Sequence, residues 1–145
     1  MATLALADLV SEKVRSGSYQ FVIVNVASPD MVAHTGNLPA TIAACEAADA
    51  FLGKVFPVVI DSGGALVVTA DHGNAEELIN LETHEIDTEH SNAMVPFIIA
   101  SSGLRNRQIQ LKSGILADIA PTILDLLEIP KPSTMTGRSL LPRRS

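Results

Sequence analysis

Three short runs of branched apolar residues most restrict the folds open to this chain. They read YQFVIVNVA from Tyr19, ALVVTA from Ala65 and VPFIIA from Val95. Each is too short for a buried helix, and an unbroken apolar pattern is typical of a strand covered on both faces. Because helical periodicity separates the first two runs, the sequence predicts an α/β fold with a layered, mainly parallel sheet flanked by helices. Ligands of such sheets normally bind outside the carboxyl ends of the strands.

The segments around these runs have the periodicity of amphipathic helices. Apolar residues three and four apart predict one helix from Leu4 to Arg15, which Gly17 ends, and another from Pro39 to Ile60. Pro57 lacks a backbone donor, so the second helix is expected to kink or stop there. A last helix follows Asp118, which is expected to cap it. The proline-rich tail after this helix is predicted to be a surface strap.

Composition excludes several classes of function. A length of 145 residues suits one compact domain or a piece of a larger one, so 1–145 is predicted to be a single domain portion. The net charge of −6 opposes binding to nucleic acid or anionic membranes, and no apolar run approaches the roughly 18 residues of a membrane span. Cys45 is the only cysteine, which favours a reducing, cytoplasmic location, and its place on an apolar helix stripe predicts inert core.

Residues that bind metal ions occur next to the predicted strands. After the first strand, Ser28 can cap a short helix and Pro29 suits its first turn. Asp30 and His34, four residues apart, would then share one face of that helix and could grip one cation. An exposed pair without a metal has the same spacing, so the pattern alone leaves both interpretations open.

A second group of such residues surrounds the next two strands. Asp71 and His72 directly follow ALVVTA, and Gly73 permits a sharp turn that would aim both side chains at one ion. Ordinary turn chemistry would use the same residues. His90 lies shortly before the third strand, whereas His84 lies among acidic residues and is expected to be solvated. A mixed nitrogen and oxygen ligand set suits Mn²⁺ or Zn²⁺ better than Ca²⁺. The acidic loop that contains both histidines, from Asn74 to Ala93, is long enough to be functional or mobile.

Six ordered motifs resemble the carboxy-terminal part of cofactor-independent (2,3-bisphosphoglycerate-independent) phosphoglycerate mutase, in the alkaline phosphatase superfamily. Between Tyr19 and Leu141 they read NVASPDMVAHTGN, CEAADAFLGKV, VVTADHGNAE, TEHSNAMVPFI, LADIAPTILDLL and MTGRSLL. The resemblance implies a partial, alkaline-phosphatase-like domain of an isomerase. That family interconverts 3- and 2-phosphoglycerate through a phosphoserine intermediate.

The resemblance also implies two divalent metal ions, with Mn²⁺ preferred and Zn²⁺ or Mg²⁺ as alternatives. The first ion would be bound by Asp30, His34 and His90, and the second by Asp71 and His72. Two ions about 4 Å apart stabilise the entering and leaving oxygens of a phosphoryl group.

A sixth residue, Glu76 in the motif TADHGNAE, would support these ligands from outside the coordination spheres.

Parts of the family pattern have no counterpart in this sequence. The nucleophilic serine, a further aspartate ligand and the inserted transferase domain belong to the amino-terminal part of the family. The chain is therefore expected to be the carboxy-terminal portion, with no catalytic nucleophile, inactive alone and able to use phosphoglycerate only with the missing part. Apolar surface where that part would dock could also drive self-association.

Two alternative functions share the same residues. A phosphopentomutase or metallophosphatase relative would use similar metal ligands on a different substrate. A non-catalytic metal-binding module would keep the fold and an ion without any chemistry.

Overall fold

The computed structural model describes residues 3–80, 83, 85–104 and 109–142, so His84 lies outside the described residues. The chain forms two compact units, 1–101 and 102–145. The elements are α1 (Thr3–Arg15), α2 (Ser28–Ala33), α3 (Leu38–Asp61), β1 (Ala65–Thr69), β2 (Phe97–Ser101) and α4 (Ile119–Leu126). The predicted mixture of helices and strands is confirmed, whereas the single domain portion 1–145 stays a prediction. Among the described helices, none combines the length and apolar character that crossing a bilayer requires.

The core of the first unit lies between α1 and α3. Its buried cluster consists of Ala7, Val10, Phe51, Val55 and Val59. Burying one Val or Phe side chain contributes about 1.5 to 3 kcal/mol. These contacts therefore hold the two helices together over several turns.

The ends of these helices follow local signals in the sequence. Gly17 has a φ of +65°, the left-handed conformation that ends α1 as predicted. At the start of α3, the Asn37 side chain accepts a hydrogen bond from the N–H of Ala40 at 3.0 Å. Both predicted helices lie within one residue of their expected bounds.

Helix α3 continues through the exposed Pro57 to Asp61. Proline weakens a helix because it lacks an N–H group and crowds the preceding turn. Val55, Val58 and Val59 are buried on both sides of Pro57, and their packing offsets the lost hydrogen bond. The helix therefore does not stop at the proline, although a kink or a stop was expected.

The buried stripe of α3 differs from the predicted one in its first half. Ile42 and Cys45 are exposed, whereas Thr41 and Ala44 are buried. The prediction that Cys45 belongs to the core is therefore wrong. The helical period is the same in both cases, and the buried stripe is shifted by one residue in this part of the helix.

The two strands pair in the direction opposite to the prediction. β1 and β2 are antiparallel, with Ala65 opposite Ser101 and Thr69 opposite Phe97. A parallel pair needs a crossover, usually a helix. Between Thr69 and Phe97 the described residues contain one short 3₁₀ turn, Ala75–Glu77, and the chain returns along β1 without crossing over. The expectation of a mainly parallel sheet is corrected for this pair.

The run from Tyr19 to Ala27 was predicted to be a central strand, yet it is paired with no strand in the part of the chain that the structure describes. Val24 and Val26 pack against the α1–α3 core. Phe21 and Ile23 are 51% and 83% exposed. The segment therefore has the composition of a covered strand while one apolar side remains open.

The long loop before β2 folds back toward the turn between α2 and α3. Two isolated β-bridges hold the loop together, one between Gly73 and Ser91 and one between Ile79 and Ile86. Ile86 lies against Gly36, where a Cβ would overlap the isoleucine and where φ is +67°. Glycine satisfies both conditions, and the loop is thereby positioned next to α2.

In the second unit, Asp118 holds the tail. Its carboxylate accepts hydrogen bonds from the N–H groups of Ile115 at 3.0 Å and Arg138 at 2.8 Å. The hydrogen bond from Arg138, and after it the one from Ile115, holds the pKa of Asp118 below its ordinary value. The Thr122 hydroxyl donates to the Asp118 carbonyl and accepts from the N–H of buried Leu140. Asp118 occupies the cap position of α4, but its side chain makes no capping hydrogen bond to that helix, so the predicted capping role is wrong. The side chain instead binds the backbone of the proline-rich tail at Arg138.

Candidate metal centre

Helix α2 places the first two predicted ligands on one face. Asp30 Oδ1 lies 3.4 Å from His34 Nε2, as the four-residue spacing predicts. Pro29 lies in the first turn, and Ala27 occupies the cap position that was expected for Ser28. Ser28 is instead the first helical residue and is buried.

His90 reaches the same point from the long loop. Its Nε2 lies 3.2 Å from His34 Nε2 and 3.6 Å from Asp30 Oδ1. The three donor atoms all lie within 4.8 Å of one another. Ligand atoms about 2.0 to 2.2 Å from one ion are themselves about 3 to 3.5 Å apart. The spacing of this triad, Asp30, His34 and His90, therefore fits a single divalent cation.

A backbone carbonyl determines which nitrogen of His34 faces the triad. His34 Nδ1 lies 2.7 Å from the carbonyl oxygen of Thr88, which can only accept, so Nδ1 carries the proton. In the neutral ring, Nε2 then presents a lone pair toward Asp30 and His90. Histidines that bind metal ions usually donate their other ring N–H group to a carbonyl or carboxylate in the same way.

The carboxylate of Asp30 is held by an amide from the second motif. Asn74 Nδ2 donates a hydrogen bond to Asp30 Oδ1 at 2.6 Å. This bond and, after it, the neighbouring histidines His34, His72 and His90 hold the pKa of Asp30 below its ordinary value. Asp30 is therefore ionised near neutral pH, the form that binds a cation.

Glu76 connects the two loops of the site. Its Oε2 accepts a hydrogen bond from the N–H of Asn74 at 2.9 Å, and its Oε1 accepts a short one from the hydroxyl of Ser91. The Ser91 bond is the main reason that the pKa of Glu76 lies below its ordinary value. The N–H of Ser91 also donates to the carbonyl of Gly73 at 2.8 Å. The turn that carries Asp71 and the loop that carries His90 are thus tied together.

Gly73 is required for space at this junction. A Cβ on Gly73 would overlap Glu76 Oε1 and Ser91 Oγ. Its φ lies outside the left-handed region where glycine is favoured. Gly73 was expected to permit a sharp turn. The structure instead needs a glycine there because the side chains of Glu76 and Ser91 approach its Cα closely.

Asp71 and His72 form a second donor pair beside the triad. The ring of His72 stacks on that of His90, with centroids 3.7 Å apart and 18° between the planes. His72 Nε2 lies 3.7 Å from Asp71 Oδ2, and the Asp71 side chain is 89% exposed. Asp71 is therefore more open to solvent than any residue of the triad, whereas the His72 side chain, 29% exposed, is more buried than they are.

Three groups that shape the site were not identified from the sequence: Asn74, Ser91 and the carbonyl of Thr88. Asn74 lies inside the motif TADHGNAE, so an amide next to the expected ligands was a readable signal. Ser91 becomes relevant only through tertiary contacts, its backbone bridge to Gly73 and its hydrogen bond to Glu76. Thr88 contributes its backbone carbonyl, which every residue type has, so the sequence cannot indicate this contact.

Comparisons with known proteins identify the family of the chain. A sequence model of the Metalloenzyme superfamily matches residues 1–131. The chain is 46% identical to 2,3-bisphosphoglycerate-independent phosphoglycerate mutase from Chloroflexus aggregans, over 99% of this chain and 27% of the mutase. It is 40% identical to the protein of the same description from Anaplasma phagocytophilum, over 100% of this chain and 29% of that protein.

A solved structure is similar as well. Phosphoglycerate mutase from Leishmania mexicana, determined at low cobalt concentration, matches with a TM-score of 0.87 and 30% identity, covering 99% of this chain and 29% of that chain. The chain therefore spans less than a third of the length of these relatives. The resemblance seen in the motifs is confirmed, and the chain belongs to the Metalloenzyme superfamily.

Proposed function

We propose that this chain is the carboxy-terminal, metal-binding part of a phosphoglycerate mutase that interconverts 3- and 2-phosphoglycerate, the glycolytic reaction. The observation that carries the proposal is the convergence of Asp30, His34 and His90 within 4.8 Å. It is supported by 46% identity to such a mutase over nearly the whole chain. Because the chain spans 27% of that mutase, the activity is proposed for the complete enzyme, to which this chain contributes metal ligands.

The proposed ligands are prepared before any cation binds. Asp30 supplies a negative charge and is held by Asn74, while His34 is held by the Thr88 carbonyl. Little reorganisation is therefore needed on binding. A divalent cation at this site would stabilise charge on phosphoryl oxygens and lower the pKa of an attacking hydroxyl.

We assign Mn²⁺ to this site, because mixed carboxylate and imidazole ligands suit it. Asp71 and His72 would contribute to a second ion whose other ligands come from the rest of the enzyme. Glu76 would support both groups from outside the coordination spheres, since it bonds to Asn74 and Ser91. Zn²⁺ and Mg²⁺ are the ions to test against Mn²⁺.

The remaining part of the enzyme is the main proposed partner. It would supply the nucleophilic serine and the groups that hold phosphoglycerate, so the substrate would bind only when that part is present. The single cysteine supports a reducing, cytoplasmic location.

A chimeric enzyme tests the proposal. The matched region of the Chloroflexus aggregans mutase is replaced by this chain, and interconversion of 3- and 2-phosphoglycerate is measured with added Mn²⁺. The chimera is expected to be active, and His34→Ala is expected to lower its activity by more than the roughly 10- to 100-fold typical of residues outside the coordination sphere. Glu46→Ala, an exposed change on α3, serves as the control and should leave the activity unchanged.

Three results would contradict the proposal. Activity of the chimera on a phosphopentose instead of phosphoglycerate would favour a phosphopentomutase relative. Full activity of a His34→Ala and His90→Ala double variant would exclude these histidines as ligands. A folded chimera that binds Mn²⁺ and has no activity on either substrate would favour a non-catalytic metal-binding module.

A further inference from the structure

The structure contains a buried polar side chain next to the triad whose role is not explained by packing. Asn74 is 5% exposed and lies between Asp30 of α2 and Glu76 of the following 3₁₀ turn. Burying an amide is unfavourable unless its hydrogen bonds are satisfied. An apolar side chain of the same shape would fill the space without that cost.

We infer that Asn74 is a positioning residue for the metal centre: its amide N–H group fixes the Asp30 carboxylate in the orientation that meets a cation shared with His34 and His90. The inference rests on the metal site proposed above. It assigns to Asn74 an action on Asp30 and no direct bond to the cation.

The pairing of the amide atoms supports this assignment. Asn74 Nδ2 lies 2.6 Å from Asp30 Oδ1, while Asn74 Oδ1 is buried and has no hydrogen-bond partner among the described residues. Turning the amide over would place two acceptor oxygens 2.6 Å apart. The side chain therefore keeps the orientation that serves Asp30, although this leaves its oxygen without a partner in the described part of the chain.

Distances also identify Asp30 as the group on which Asn74 acts. Asn74 Nδ2 is 3.5 Å from His34 Nε2, much farther than from the carboxylate. His34 is already oriented through its other nitrogen by Thr88. Asp30 is exposed at about a third of its side-chain surface and needs a separate restraint.

Asn74 is itself held in place from its backbone. Its N–H donates to Glu76 Oε2 at 2.9 Å, and Glu76 is bonded in turn to Ser91 next to His90. The amide is thus connected to both sides of the triad. A substitution that changes only the Asn74 side chain leaves this backbone bond intact.

The test uses the 145-residue chain and two variants, Asn74→Leu and Asn74→Ala. Leucine keeps the volume and shape of the side chain and removes both polar atoms, whereas alanine covers the case in which leucine does not fold. Folding is checked by circular dichroism and thermal unfolding. The dissociation constant for Mn²⁺ is measured by calorimetry, and the visible spectrum of the Co²⁺-loaded chain reports ligand geometry. Asn92→Ala, the loss of an exposed amide in the same loop, is the matched control.

We expect the folded Asn74 variants to bind Mn²⁺ about 10- to 100-fold more weakly, with a changed Co²⁺ spectrum at saturation, and Asn92→Ala to match the wild type. Unchanged affinity and spectrum in a folded Asn74 variant would overturn the inference, since space filling would then suffice. If the wild-type chain binds no Mn²⁺, the proposed metal site fails, which is distinct from failure of the role of Asn74.

Discussion

At the scale of single residues, the groups that orient the proposed ligands are as well defined as the ligands themselves. The carbonyl of Thr88 sets the tautomer of His34, and Asn74 holds Asp30. Glu76 connects these contacts to the loop that carries His90 through Ser91. Metal affinity is therefore expected to depend on residues that never touch the ion.

Gly73 provides a direct test of this dependence. In Gly73→Ala the added Cβ would overlap Glu76 and Ser91 and separate the two loops. We expect a loss of about 1 to 3 kcal/mol in the free energy of unfolding, as for other overpacked sites, and weaker Mn²⁺ binding. Chemical denaturation and calorimetry measure the two effects.

Gly53→Ala is the control for this substitution. Gly53 lies inside α3, and its Cβ would meet no atom within 4 Å. Alanine there is expected to raise the free energy of unfolding by about 0.5 to 1 kcal/mol, because glycine weakens a helix interior, with no change in Mn²⁺ affinity. Equal behaviour of the two variants would contradict the proposed junction at Gly73.

At the scale of elements, the tail of the second unit depends on the charge of Asp118. The folded chain lowers the pKa of Asp118 below the ordinary value of 3.8. Its stabilising effect is therefore complete above that value and is lost as the pH falls through the lower, folded pKa. We expect the N–H of Arg138 to lose protection from hydrogen exchange in this acidic range, as measured by NMR.

The variant Asp118→Asn distinguishes the acid-dependent effect of Asp118 from the effects of other carboxylates. The variant keeps one acceptor oxygen for two donors, so protection of Arg138 should already be reduced at neutral pH. It should also lack the acid-dependent change, whereas contributions from Asp30 and Glu76 remain in both proteins. Identical pH profiles of wild type and variant would exclude Asp118 as the group that holds the tail.

The segment from Tyr19 to Ala27, which belongs to no strand in the described part of the chain, also has a testable consequence. Its outer side chains Phe21 and Ile23 are exposed, and its inner side packs on the core. We expect the proposed partner, the rest of a phosphoglycerate mutase, to cover this segment, since an apolar run of this composition is normally buried on both sides. Ile23→Asp should weaken co-purification of the chain with the rest of the Chloroflexus aggregans mutase.

The same variant must leave the metal site intact. Ile23 is 83% exposed, so its replacement removes no core contact from the chain itself, and Mn²⁺ affinity should be unchanged. The wild-type chain alone is expected to self-associate in analytical ultracentrifugation, and Ile23→Asp to reduce this association. A variant that binds the remainder as well as the wild type would show that the segment is not the docking surface.

At the scale of the whole molecule, the two donor groups differ in how complete they are. The triad offers three donors from this chain, whereas Asp71 and His72 offer two and Asp71 is 89% exposed. Calorimetric titration of the chain with Mn²⁺ should therefore show one tighter site and a second, weaker one. Asp71→Asn should affect only the weaker site, and a larger effect on the tighter site would contradict this order of filling.

The sequence by itself determined the features that depend on neighbouring residues. Apolar spacing, with the glycine stop at Gly17, predicted the bounds of α1 and α3 to within one residue, because helical periodicity and end signals act between residues close in sequence. The same rule places Asp30 and His34 on one face, since four residues complete about one turn. Motif order was enough to recognise the family.

Tertiary structure alone decided the features that join distant parts of the chain. His90 meets His34 across 56 residues because the loop folds back through the bridge between Gly73 and Ser91. The antiparallel pairing of β1 with β2, the open side of Tyr19–Ala27 and the exposure of Cys45 likewise depend on which elements lie next to each other. Residue spacing carries no record of such neighbours, because packing and backbone carbonyls act between segments whose separation in sequence is arbitrary.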